Sequence, residues 1–209
     1  MAIMVREPES SHPDILAPNG LQSAVCSDVV DLGEVESAFG GESRMKHMIK
    51  IVFLLNERIP GLYIHPHTAD EVKVPEHLEG RPFGVSRRFT LSLHEKASLR
   101  KLIRSWRGRE FTSDELRGKG FDLESLIGLP VALSIVHVQS ESTDRYFANI
   151  ESASRLPAEW TEPEIPGDYV RAKDREARNS PSSAPVSNPP KSKTPPPPGQ
   201  PPRLRDDEN

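Results

Sequence analysis

Residues 81–109 read RPFGVSRRFTLSLHEKASLRKLIRSWRGR, and this stretch predicts a strand that leads into a helix. Its first residues alternate between apolar and polar or small side chains, which is the period-2 pattern of a half-buried strand. The apolar members of this alternation are Phe83, Val85, Phe89 and Leu91. Further on, apolar residues recur three or four positions apart and therefore share one face of a helix. The residues of that face are Leu99, Leu102, Ile103 and Trp106.

Capping signals mark the ends of this helix and of two short turns that follow it. Ser92 and Glu95 have capping-box spacing, which predicts that the helix opens at Ser92. Gly108 stands where a left-handed glycine commonly ends a helix. Thr112 starts a second capping-box pattern, and Asp122 is placed to cap a further short turn.

Two strands are predicted before this stretch and a hairpin after it. The first strand starts near Leu21 and runs for about ten residues, and the second covers 47–56, with a turn region at 33–44 between them. Two apolar runs, 131–138 and 146–150, flank a polar turn and read as a hairpin. Five strands with a helix between the third and the fourth is the order of an OB-fold. We therefore expect a mainly β protein with a five-stranded OB-fold-like barrel, a partly open Greek-key fold that binds oligonucleotides or oligosaccharides.

Proline usage divides the chain into a domain and a tail. The chain has 209 residues and 21 prolines, and 13 of these prolines lie at or after Pro157. A segment this rich in proline and polar residues cannot offset its ordering entropy. The sequence thus predicts a flexible N-terminal arm at 1–19, an OB-fold-like domain at 20–156 and a disordered Pro-rich tail with an acidic end at 157–209.

Several function classes are disfavoured by what the sequence lacks. Cys26 is the only cysteine, so an intramolecular disulfide is excluded and a cysteine-based zinc site is not expected. No long apolar run predicts a membrane helix, and 1–5 is too short for a secretory signal, so we expect a soluble cytoplasmic protein. No phosphate loop or nucleophile elbow is present, and we expect a non-enzymatic protein without cofactor or metal. The loop 57–81 carries His65, His67 and His77, which form only a weak metal pattern.

The distribution of charge points to a local binding surface. The whole chain has a net charge of -4, but the region 81–119 contains eleven basic and only four acidic residues. A segregated basic region is the footprint expected for a phosphate backbone, although a solvated helix face would have the same composition. Basic residues interleaved with aromatic residues on a barrel sheet are what single-strand binding uses. The candidate set is Lys50, Arg87, Arg88, Arg100, Arg104, Arg145, Tyr146 and Phe147.

Strand alternation limits which members of this set face a ligand. Arg88 shares a face with the polar residues of its strand, whereas Arg87 falls on the core side unless a bulge intervenes. Tyr146 and Phe147 point to opposite faces, so only one of them is expected to act as a stacking platform.

Several motifs resemble a family of phage-encoded proteins whose genes lie among replication and recombination genes. The matching runs are SAVCSDVVDLG (23–33), RFTLSLHEKASLRK (88–101), SWRGR (105–109), GFDLESLIG (120–128), VH (136–137) and YFANI (146–150). They cover about residues 20–155 and leave the tail uncovered. The resemblance implies an OB-fold single-stranded-DNA-binding protein. The acidic end 206–208 is similar to the tip with which bacterial single-strand binders recruit partners, but it lacks their terminal hydrophobic residues.

These observations predict a protein that binds single-stranded DNA in phage replication or recombination, in the host cytoplasm. Backbone capture would be electrostatic, bases would stack on an aromatic ring, and the tail would hold replication or recombination partners. A homo-oligomer is compatible with this role. The main alternative is an OB-fold adaptor that recruits another replication protein without binding DNA. A nuclease or other metal-dependent enzyme that uses the loop 65–77 is the third and weakest interpretation.

Overall fold

A computed structural model describes residues 15–39, 42–141, 143 and 145–179. Within these ranges the elements follow one another as β1 (Gly20–Phe39), β2 (Glu42–Arg58), β3 (Leu62–Ile64), β4 (Glu71–Lys73), β5 (Pro82–Thr90), α1 (Ser98–Arg107), α2 (Ser113–Arg117), a 3₁₀ turn (Leu123–Leu126), β6 (Pro130–Gln139), β7 (Tyr146–Ser154) and α3 (Ala172–Asn179).

Five of the strands form one antiparallel sheet in the order β5-β2-β1-β6-β7, and β3 pairs separately with β4. The expected mainly β class, with a helix between the third and fourth strands of the sheet, is therefore confirmed. The predicted closed barrel is not found among the described residues. In the described part of the chain, no backbone ladder joins β5 to β7, so the sheet has two free edges.

The core lies between the inward face of the sheet and α1. Phe53 of β2 is fully buried, and its ring lies 5.6 Å from that of Trp106. Trp106 also donates its indole N–H to the carbonyl of Pro130 at 2.8 Å, which ties α1 to the start of β6. The predicted apolar face of α1 is confirmed as buried. Burying one Leu or Ile side chain fully contributes about 1.5–3 kcal/mol, so this face accounts for the docking of α1.

The predicted start of α1 is wrong. The helix begins at Ser98, and its N-cap residue Ala97 lies five residues after the predicted N-cap Ser92 and makes no side-chain cap. Ser92 Oγ instead accepts from the N–H of His94, which makes a local turn before the helix. The end is as expected, because Gly108 has a left-handed φ of 64°. The capping box predicted at Thr112 is also confirmed.

The first two strands are much longer than predicted, and the turn expected at 33–44 is wrong. β1 continues to Phe39 and β2 starts at Glu42, and the two strands pair with each other over this whole length. β5 reaches only as far as Met48, and β6 pairs only with 20–25. Residues 33–39 and 42–47 therefore form a two-stranded ribbon that projects from the sheet, called the ribbon 33–47 for its two described strands. Polar residues occupy both of its faces, so no apolar alternation marked it in the sequence.

The loop 57–81 is more regular than expected, because it contains the β3–β4 hairpin. It also buries His65, which is only 4% exposed. Tyr63 of β3 binds the N-terminal segment through its hydroxyl, which accepts from Leu16 N at 3.1 Å and donates to Leu16 O at 3.2 Å. Residues 15–19, assigned from the sequence to the flexible arm, thus pack against this hairpin.

Residues 155–172 form a strap across the outward face of the sheet. Ser23 Oγ donates to the carbonyl of Thr161 at 2.9 Å, and Arg81 pairs with Asp168 at 2.9 Å. At the end of the strap, Arg171 binds Asp28 of β1. The tail predicted from the sequence starts at 157, but residues 161–173 of it contact the domain. Residues 180–209 lie outside the described ranges.

Candidate functional site

Two cations lie side by side on the outward face of the sheet. Lys50 of β2 is directly opposite Arg88 of β5 in the strand register. Arg88 is exposed and Lys50 is half-buried, and within the described residues neither side chain has a hydrogen-bond or ion-pair partner. Like charges opposite each other destabilise a sheet. Folding alone gives no reason for this pair, whereas an anionic ligand would.

A groove of about 730 Å³ lies between the free edges of β5 and β7, and we call it the seam groove. Gly84 and Ser86 line it from β5, on the same face of that strand as Arg88. Arg145 and Phe147 line it from the other side. Tyr146 also lines the groove, so the structure brings one basic and two aromatic members of the candidate set to it, near Lys50 and Arg88.

The two aromatic candidates have different positions. Phe147 lies on the outward face opposite Val138, and these side chains are 53% and 45% exposed. Tyr146 points the other way, and its ring stacks on His67 at 3.8 Å with an interplanar angle of 7°. Phe147 is thus the open aromatic surface, while Tyr146 is already engaged on one side.

Arg87 does not belong to the outward face. Its Nη1 donates to the carbonyl of Ile150 at 2.7 Å and to that of Glu151 at 3.1 Å, and its guanidinium lies over the ring of Phe89. These contacts bridge the gap between the edges of β5 and β7. Alternation had already placed Arg87 on the core side, and its position indicates a structural link rather than a ligand contact.

Arg100 and Arg104 are engaged with an acidic neighbour. Arg104 Nη1 lies 2.9 Å from Glu110, and Arg100 lies 4.0 Å from the same carboxylate while donating to Leu93 O. None of the contacts found in the described ranges connects them with Lys50 or Arg88. Much of the charge of α1 is therefore balanced locally.

The positive charge at the C-terminal end of α1 is balanced in the same way by Glu115. Arg107 lies 2.5 Å and Arg109 3.3 Å from its carboxylate. The backbone N–H of Thr112, together with these two guanidinium groups, lowers the pKa of Glu115 to about 2. The basic helix is a weaker candidate surface than its composition suggested.

A cluster of three histidines, His65, His67 and His137, lies beside Tyr146 and was not predicted from the sequence. His137 Nε2 is 2.8 Å from the carbonyl of Ala17, which can only accept, so this nitrogen carries the proton. In the neutral ring, Nδ1 of His137 then accepts from His67 Nε2 at 2.8 Å. Partial loss of hydration, and the proximity of His137 and His65, lower the pKa of His67. No short motif signals this cluster, because His67 and His137 are 70 positions apart.

The histidines of the loop 57–81 do not converge as a metal pattern would require. His65 and His67 lie near His137, and His77 lies at the far end of the loop, where its carbonyl accepts from Arg81. Among the described residues, no three His, Cys, Asp or Glu side chains are grouped so that they could hold a metal ion. Burial raises the pKa of the Cys26 thiol to about 12, so this side chain behaves as a small core residue.

Comparison with known proteins gives no assignment: no family model matches the chain, and neither a curated protein nor a solved structure matches it significantly. No helix in the described ranges is long and apolar enough to cross a bilayer.

Proposed function

We propose that this protein binds single-stranded DNA without catalysing a reaction, in the replication or recombination of phage DNA. The observation that carries the proposal is the Lys50–Arg88 pair, two adjacent cations on an outward sheet face with no acidic partner in the described structure. Such a pair is suited to a phosphate backbone, which supplies the missing negative charge.

The strand order supports an OB-fold as the framework. An OB-fold barrel cut open between its third and fifth strands gives the order found here, β5-β2-β1-β6-β7. OB-folds bind oligonucleotides on the face of strands 2 and 3, between the loops that follow strands 1 and 4. The corresponding regions here are β2 with β5, the projecting ribbon 33–47 and the turn before Arg145. The charged pair lies on the first of these.

The proposed mechanism combines charge with stacking. Phosphates would be held by Lys50 and Arg88, and the strand would pass along Ser86 to the seam groove, where Arg145 adds a further cation. The exposed ring of Phe147 would receive a base, because every base offers a π-face to an aromatic side chain. A single strand suits this arrangement, since its bases are unpaired and free to stack.

The test is fluorescence anisotropy with labelled poly-dT of about 10 to 40 nucleotides, lengths that run from within to well beyond the roughly 4–16 nucleotides that one OB-fold covers. We expect length-dependent binding that weakens steeply with salt. Arg88→Ala should weaken binding and reduce the slope of log K against log salt by about 0.7, the value for one phosphate contact on a single strand. Arg104→Ala is the matched control, because Glu110 already neutralises Arg104. Absence of binding at low salt would overturn the proposal.

A second candidate function is that of an adaptor which binds another replication protein. The exposed Val138–Phe147 pair favours it, because two apolar side chains opposite each other on a hairpin are also suited to a protein contact. An adaptor has no site size on DNA. If binding is absent, or does not depend on oligonucleotide length, the adaptor function is favoured over single-strand binding.

A further inference from the structure

We propose that His67 is a positioning residue which holds the ring of Tyr146 as a nucleobase-stacking platform on the wall of the seam groove. The proposal rests on the function proposed above and adds a second stacking position to that of Phe147. It assigns a role to a histidine that lies outside the basic surface.

The geometry of the two rings is the first argument. Their centroids are 3.8 Å apart and their planes differ by 7°, so the imidazole covers one face of the phenol ring. His65 adds a tilted ring contact to Tyr146 at 6.2 Å. A side chain at the start of a strand, next to a turn, would otherwise have free rotamers. Parallel contact with His67 fixes the plane of Tyr146 before a ligand arrives, which reduces the entropy cost of binding.

The position of Tyr146 between two cavities is the second argument. Tyr146 lines the seam groove, whereas His67 does not. His67 lines a separate cavity of about 490 Å³ beside the β3–β4 hairpin, together with His137 and Tyr63. Tyr146 therefore borders the seam groove, while its ring is stacked on His67 of the neighbouring cavity. A base entering the seam groove would stack on Tyr146 and complete a three-layer arrangement of base, phenol and imidazole.

The support of His67 itself is the third argument. Its Nε2 donates to Nδ1 of His137, whose Nε2 donates in turn to the carbonyl of Ala17. This chain of hydrogen bonds connects the loop after β3 with β6 and with the N-terminal segment. His67 is exposed, yet its ring has a fixed orientation. These hydrogen bonds distinguish His67, as a residue that positions Tyr146, from a freely rotating surface histidine.

The test uses a single strand of about 20 nucleotides, which is long enough to fill one OB-fold site. The strand carries one 2-aminopurine, whose fluorescence falls when it stacks on an aromatic ring. The wild-type protein should quench the probe, and Tyr146→Ala should remove the part of the quenching that is due to this ring. His67→Ala should remove most of the same part and weaken binding by about fivefold to tenfold, which is the lower end of what one stacked base contributes. His67→Phe should restore both, because a phenyl ring can stack on Tyr146.

The salt dependence separates this role from a general loss of structure. His67 makes no proposed phosphate contact, so the salt slope of His67→Ala should equal that of the wild type, and the thermal midpoints of all variants must be compared. The inference is overturned if His67→Ala quenches and binds like the wild type, if it binds more tightly, or if His67→Phe fails to restore quenching. Those outcomes leave Arg88-dependent binding intact. Loss of all oligonucleotide binding in the wild type would instead remove the proposed function and this inference together.

Discussion

Arg171 binds the buried carboxylate of Asp28, which lies 143 positions earlier in the chain. Arg171 Nε is 3.0 Å from Asp28 Oδ1, and the backbone N–H of Ala172 donates to Oδ2 at 2.6 Å. The side chain of Asp28 is only 2% exposed. Arg171 also reaches Glu124 at 2.9 Å, so one guanidinium joins the strap, β1 and the 3₁₀ turn.

We expect Arg171→Ala to destabilise the domain by about 3 kcal/mol, because removing one partner leaves a buried charge without compensation. Urea unfolding, followed by circular dichroism, measures the change in the midpoint. Arg175→Ala is the matched control, since Arg175 is an exposed residue of α3 and its side chain makes none of the contacts found in the described structure. Equal stability of the two variants would show that the strap does not contribute to folding.

Arg87 and Arg88 are neighbours in sequence, but a substitution of Arg87 should affect stability, whereas a substitution of Arg88 should affect single-strand binding. Arg87→Met removes the two bonds to the carbonyls of Ile150 and Glu151, and we expect a loss of about 1.5–3 kcal/mol of stability, as for hydrogen bonds to a charged group. Arg88→Ala should leave the unfolding midpoint nearly unchanged and reduce the salt slope of single-strand binding. Unfolding curves and anisotropy on both variants provide the comparison. The opposite assignment, with a changed slope only in Arg87→Met, would contradict the geometry.

The pKa of Glu115 predicts the acid dependence of stability. In the folded protein it is lowered from 4.5 to about 2. A carboxylate with a depressed pKa stabilises the fold fully above its unfolded value, and this contribution is lost as pH falls from about 4.5 towards 2. Glu115→Gln should therefore flatten the decline of stability in this window relative to the wild type. Urea midpoints at several pH values measure the decline, and an unchanged slope in the variant would exclude Glu115 as its source.

The rate at which the Cys26 thiol is chemically modified should report global unfolding of the domain. Its side chain is fully buried in β1, and its thiol pKa is raised to about 12 by burial. Since the thiolate is the reactive form, we expect a soluble disulfide reagent to modify the folded protein only as fast as the domain unfolds. The rate should rise with urea in parallel with the unfolding rate. Rapid labelling without denaturant would mean that β1 is less protected than the structure indicates.

Periodicity in the sequence was sufficient for the elements with one apolar face. The helix face of Leu99 to Trp106, the β6–β7 hairpin and the short turn at Thr112 were predictable because their side chains pack within a few residues of one another or against a single core. The number of strands in the main sheet and the helix between its third and fourth strands were also predictable, but the closed barrel predicted from them is not found in the described chain.

Other features depend on contacts that no local pattern records. The ribbon 33–47 is held by backbone pairing between polar strands, so no apolar alternation reveals it. Ser92 has good capping spacing, yet the helix starts later because its apolar face begins only at Leu99. The partners of Tyr146 and Asp28 come from segments 79 and 143 positions away, which composition cannot connect. Of the candidate set, sequence alternation separated Arg87 from Arg88 but could not show which residues neutralise Arg100 and Arg104.

The free edges of β5 and β7 leave the described sheet without backbone closure on one side. Within the described chain, the two edges are joined across the gap by the guanidinium of Arg87 and not by a backbone ladder. Widening the gap would therefore break side-chain contacts and leave every strand pairing of the sheet in place. In the described structure, the β5 and β7 sides of the sheet are thus held together by side chains alone, those of Arg87 and of α1, which contacts both strands.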